Sequence, residues 1–165
     1  MKEDCHVDLS IKFWKKSTTG IACLWMQSGE HTGCALSSHL KKSIVRHLMK
    51  GGTGEERAKL YSICIYYLIN DRLQSIGKLI VCNDENFYFV RKYLISMIGK
   101  CPFPIISIIE YRKELGRCIK SPADNFAAHY AKRGLSETKQ GIGIKLNLVK
   151  ITFSKVSEKW NELKA

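Results

Sequence analysis

Four carboxylates stand where chemistry is easiest to place. Asp8 lies inside the alternating run 6–14, and Glu56 follows Thr53 by three positions at the start of an apolar helical stretch. Asp84 comes just past the apolar run 79–82, and Asp124 opens the segment DNFAAHYAKRG. An acid in mid-strand runs against strand propensity. A carboxylate at the carboxyl end of a buried strand lies where open α/β sheets put their ligands. Acids gathered around hard divalent cations hold Mg²⁺ or Mn²⁺, and a pair of such ions about 4 Å apart activates water and stabilises the leaving oxygen in phosphodiester cleavage. Each acid also has a structural reading. Asn83-Asp84 ahead of a helix is ordinary capping. Thr53 and Glu56 have capping-box spacing, Asp124 in a first turn suits the helix dipole, and Asp8 on an outer face is simply solvated.

The acids stand out because the chain is otherwise basic. Lys and Arg number 27 against 15 acidic residues, a net charge of +12. Such an excess draws polyanions, and nucleic acid is the expected partner. Lys41, Lys42, Arg46 and Lys50 cluster in 37–52, and Arg112, Lys113, Arg117 and Lys120 in 110–120. Each group is either a solvated face or a grip on a phosphate backbone. No apolar run reaches the roughly 20 residues a membrane span needs, and the N-terminus MKEDCHVDL has no signal-peptide apolar core, so no membrane partner is expected. The seven cysteines form no CxxC pair and mostly sit in apolar runs, as small buried hydrophobes do. They imply a reduced, intracellular, cytoplasmic protein without a zinc framework. Gly51-Gly52-Thr53-Gly54 lacks the GK[ST] ending of a phosphate loop. His129, five residues past Asp124, shares no helix face with it. The aromatics Tyr61, Tyr66, Tyr67, Phe87, Phe89 and Tyr93 read mostly as core.

The elements that must position these side chains follow from periodicity. Alternation predicts a strand over 6–14, then strands near 21–26 and 31–36, a three-stranded antiparallel meander. Residues 37–52 form a basic amphipathic helix or insertion. A helix over about 55–75 is apolar nearly all round and belongs in the centre. A strand 79–82, a helix 86–98, a break at Cys101-Pro102-Phe103-Pro104 and a strand 105–109 come next, followed by a polar loop 110–120. A helix then runs from 121 to about 133. The tail alternates over 142–148 and ends amphipathically. The order β-β-β-α-β-α-β-α with a C-terminal extension is that of an α/β mixed sheet.

This order, with Asp8 in HVDLS, Glu56 in TGEERAKLY, Asp84 in LIVCNDENFYFV and Asp124 in SPADNFAAHYAKRG, resembles the ribonuclease H-like superfamily of ribonucleases H, resolvases and transposases. In that family an acid sits in the first strand, a Glu in the first central helix, an Asp directly after the fourth strand and a last Asp in the final helix. The resemblance covers about 5–134. It implies a domain 1–137 with a basic insertion at about 37–52, and an extension 138–165 of a strand and a short helix. It also implies a divalent-metal-dependent nuclease acting on RNA or DNA, RNA/DNA hybrids included, with Asp8, Glu56, Asp84 and Asp124 as metal ligands for Mg²⁺ or Mn²⁺. Departures are visible too. No Gly follows Asp8, Glu55 aligns as well as Glu56, and EYRKELGRCIK lacks the His that many members use for product release, leaving Glu110 or Glu114 to substitute. The alternative function is a non-catalytic nucleic-acid-binding or adaptor protein on the same scaffold.

Overall fold

A computed structural model describes residues 1–135 and 145–163. Among these, five strands form one mixed open sheet: β1 Glu3–Ser10, β2 Thr19–Trp25, β3 His31–Leu36, β4 Ile76–Val81 and β5 Ile105–Ser107. Their spatial order is β3-β2-β1-β4-β5. β1 pairs antiparallel with β2, and β2 with β3, whereas β4 runs parallel to both β1 and β5. Six helices surround the sheet: α1 Ser38–His47, α2 Gly54–Ile69, α3 Phe87–Ile98, α4 Ile108–Leu115, α5 Asp124–Arg133 and α6 Phe153–Glu162. The α/β class and the leading antiparallel meander are as the sequence predicts.

Strand period two separates the faces of the sheet. Cys5, Val7, Leu9, Ile21, Cys23 and Trp25 join the main core with α2. Ala22 belongs to a separate cluster with Ala127 and Tyr130 of α5. With both faces covered, every residue of β2 is buried. α5 lies close to the sheet because the strand residues beneath it are small. A Cβ on Gly20 would collide with the backbone of Ala127 and Ala131, and one on Gly33 with the ring of Tyr130. Asp8, out of phase with Val7 and Leu9, points away from the main core and is still buried, so the solvated-face reading does not hold.

Several element limits differ from expectation. β1 spans 3–10 rather than 6–14, because the chain turns at Ile11, the one non-glycine residue at positive φ (70°) among the described residues. Phe13 is buried beyond that turn, and Ile11 is exposed. The expected polar loop 110–120 is largely α4. Ser107 caps it by accepting from the Glu110 N–H (3.2 Å), Ile108 anchors it, and Gly116 closes it in the left-handed conformation. β5 accordingly stops at Ser107. The expected strand 142–148 falls partly outside the described residues. Within them, Leu148 bridges β3 at Gly33, through Gly33 N–H to Asn147 O (3.2 Å) and Val149 N–H to Gly33 O (2.8 Å). α6 buries Val156 and Trp160, and the Tyr67 hydroxyl of α2 donates to Lys155 O (3.0 Å).

Candidate metal centre at the carboxyl ends of β1 and β4

Parallel pairing of β1 with β4 brings two carboxyl ends together. Val7 stands opposite Val81, and the Cys82 N–H donates to Val7 O (3.0 Å). The next residues on each strand therefore meet. Asp8, Cys82 and Asp84 offer ligand atoms that all lie within 4.8 Å of one another. Leu9 N–H donates to Asp8 Oδ1 (2.8 Å), fixing that carboxylate. Asp84 is not a helix cap; Asn86 caps α3, accepting from the Tyr88 N–H at 3.1 Å.

The electrostatics are those of crowded acid in a dry place. Burial, and then the Asp84 carboxylate, push the Asp8 carboxyl up to about 7. Burial and the two acids also raise the Cys82 thiol, which stays protonated. One cation already answers the charge: Lys12 Nζ lies 3.1 Å from Asp84 Oδ1 and donates to Asp84 O at 3.1 Å. Asp84 Oδ2, the Tyr61 hydroxyl and Glu85 Oε1 are buried with no hydrogen-bond partner. Tyr61 feels the charges of Asp84, Asp8 and Cys82, so its hydroxyl belongs to the same neighbourhood. Buried polar atoms are normally paired, and such a cluster marks a place suited to a ligand. Glu85, raised by burial and then held down by Arg57, pairs with Arg57 Nε at 3.4 Å, and the Arg57 guanidinium stacks on Trp14 at 5.0 Å.

The other expected ligands are differently engaged. Glu56 closes the capping box of α2 and accepts from the N–H groups of Lys50 (2.7 Å), Gly51 (3.0 Å) and Thr53 (3.2 Å). Asp124 opens α5 and pairs with Lys120 at 2.9 Å, and it is not among the groups that converge with Asp8 and Asp84. Glu110 is exposed, and Glu114 pairs with Lys78 (3.3 Å). The basic candidates divide as well. Lys41 is buried and donates to Lys15 O, Ser17 O and Thr19 Oγ1. Arg112 Nε donates to Ile119 O (2.7 Å). Lys42, Arg46, Lys50, Lys113, Arg117 and Lys120 are exposed.

Lys12, Cys82, Glu85, Arg57 and Tyr61 escape sequence reasoning. Cys82 reads there as a small hydrophobe inside the expected strand 79–82, whereas β4 ends at Val81 and leaves the thiol at the strand end. Tyr61 follows Arg57 by one helical turn, which puts both on the α2 face that meets the site. The two close carboxylates, one with an orphaned oxygen, are donors that suit a divalent cation; the protonated Cys82 thiol beside them is not such a donor. No helix among the described residues is long and apolar enough to cross a membrane. Comparison with protein-family models, with curated proteins and with solved structures found no match for this chain.

Proposed function

We propose that the chain is a divalent-metal-dependent nuclease on a ribonuclease H-like scaffold, hydrolysing phosphodiester bonds of RNA or DNA with Mg²⁺ or Mn²⁺. One observation carries the reading: the carboxylates of buried Asp8 and half-buried Asp84 lie within 4.8 Å of each other where two parallel strands end. The three antiparallel strands ahead of parallel strands joined by helices agree with the resemblance, as does a net charge of +12.

Asp8 and Asp84 would hold the cation; Asp124, now paired with Lys120, would join from α5 only by giving up that pair. When bound, the cation supplies an activated water and a positive clamp on the scissile phosphate. Asp8 would have to give up its proton to bind, and because burial raises that carboxyl to about 7, proton and cation would compete for it near neutral pH. Lys12, which now pairs with Asp84 Oδ1, would give up that pair to the cation and could then meet a phosphate oxygen. Glu56 joins only by releasing three backbone N–H groups, so it supports the helix that carries Arg57 and Tyr61. Exposed Lys113, Arg117 and Lys120, the last paired with Asp124 of α5, would grip the strand.

The test is cleavage of labelled single-stranded, duplex and hybrid substrates with Mg²⁺ or Mn²⁺. Asp84→Asn is expected to reduce turnover to background while filter binding survives. Undiminished cleavage in that variant would sink the assignment. The Lys12–Asp84 ion pair and the engaged Glu56 favour a second reading, nucleic-acid binding without turnover; metal-independent binding with no cleavage by the unmutated chain would select it.

A further inference from the structure

Beside the acid pair, the β1–β2 loop exposes a tryptophan that the fold does not need outside. Trp14 is 59% exposed, whereas Trp25 and Trp160 are 0% and 2% exposed. Its neighbour Phe13 goes the other way, buried edge-on to Tyr61 with ring centroids 6.3 Å apart. The loop is held in shape from within. Ile11 keeps a positive φ that costs a β-branched residue energy, and its carbonyl accepts from Thr19 Oγ1 (2.8 Å). Lys41, only 5% exposed, reaches over from α1 to three loop oxygens at 2.7, 2.6 and 3.0 Å. A turn closes between Lys15 N–H and Lys12 O (3.0 Å).

We propose that this loop is a preformed stacking platform on which Trp14 takes an unpaired base, so that the substrate is single-stranded nucleic acid. The inference rests on the nuclease reading and names the strand that site receives. Arg57 covers part of the indole and ties it to Glu85, next in sequence to Asp84, so the ring stands one side chain from the acids. Lys12, two residues before Trp14, touches Asp84 itself, and Lys15 and Lys16 are exposed beside the ring for the backbone phosphates. An aromatic face with interleaved cations is how sequence-tolerant single-strand sites are built. A duplex keeps its bases stacked and paired, and offers such a ring no face without unstacking. Because the loop is already ordered, binding does not have to order it.

The whole chain provides its own probe, since Trp14 is the exposed member of three tryptophans. In EDTA, a short single-stranded oligonucleotide is expected to quench Trp14 fluorescence to saturation, and the same sequence as a blunt duplex is not. By anisotropy of the labelled strand, Trp14→Ala is expected to weaken binding about tenfold or more with an unchanged salt slope. Trp14→Phe should recover most of that loss. Single-strand binding undiminished in Trp14→Ala, or a duplex equally dependent on Trp14, overturns the platform. Quenching by a protein partner with neither nucleic acid bound overturns it as well. Absence of cleavage in Mg²⁺ with these binding results intact removes the nuclease reading alone. Duplex cleavage indifferent to Trp14→Ala removes the platform alone.

Discussion

Two carboxylates within ligand distance, one of them buried, destabilise the fold whenever both are charged. Asp8, raised to about 7 from 3.8, holds its proton more tightly folded than unfolded. Its contribution is therefore complete below about pH 4 and is lost as pH rises through about 7. Asp8→Asn keeps an oxygen for the Leu9 N–H and removes the charge. In chelator it is expected to raise the melting temperature at pH 8 by at least about 3 °C, the shift that 1 kcal/mol gives a chain of this size, and to change it little at pH 4. Thermal melts at the two pH values decide this; no gain at pH 8 means that the carboxylate is not strained. Asp8 and Asp84 were legible in the sequence because strand period and strand end fix where such side chains go. Lys12 was not, because it reaches Asp84 only after the chain turns at Ile11, and nothing marks an isoleucine for left-handed φ.

At the scale of elements, Glu56 shows how one residue satisfies two readings until its partners are seen. Its three backbone donors make it part of the α2 cap together with Thr53. Thr53→Ala is expected to cost about 1 kcal/mol, and Glu56→Ala at least as much, in urea unfolding. Both variants should keep activity in proportion to their folded fraction, in contrast to Asp84→Asn, which loses activity and not stability. Activity abolished in well-folded Glu56→Ala would restore that acid to the metal set. α2 was legible from its capping box and nearly continuous apolar surface, and α3 as the helical stretch after the strand, although its cap is Asn86 rather than Asn83-Asp84. α4 was missed because EYRKELGR is mostly charged and shows no apolar stripe, and its helix depends on Ser107 in front, Gly116 behind and a single buried Ile108.

Over the whole molecule, a second buried titratable group opposes the first. His6, on the same strand face as Asp8, lies edge-on to Tyr111 of α4 at 5.1 Å, and burial lowers it to about 4. A depressed histidine has the opposite sign to Asp8. The unfolded chain takes up protons first, so stability falls as pH drops from about 6.5 through about 4. His6→Phe keeps an aromatic ring against Tyr111 and removes the proton site. It is expected to be more stable relative to the unmutated chain at pH 4.5 than at pH 7.5, by chemical denaturation. An equal difference at both pH values would place that proton uptake elsewhere.

The small residues under α5 reach beyond packing. Gly20 and Gly33 leave no room for a Cβ between the sheet and the helix that presents Asp124. A larger residue at either position pushes that helix outward and moves Asp124 with it, which the proposed metal role of Asp124 would register. The spacing of the acids is thus written partly in positions that carry no charge. Distant kin of this chain are better sought by two strand glycines standing under a helix-borne acid than by the acids alone. A sequence holding Asp8, Asp84 and Asp124 with bulky residues at 20 and 33 would not be expected to keep the helix-borne acid where it stands here.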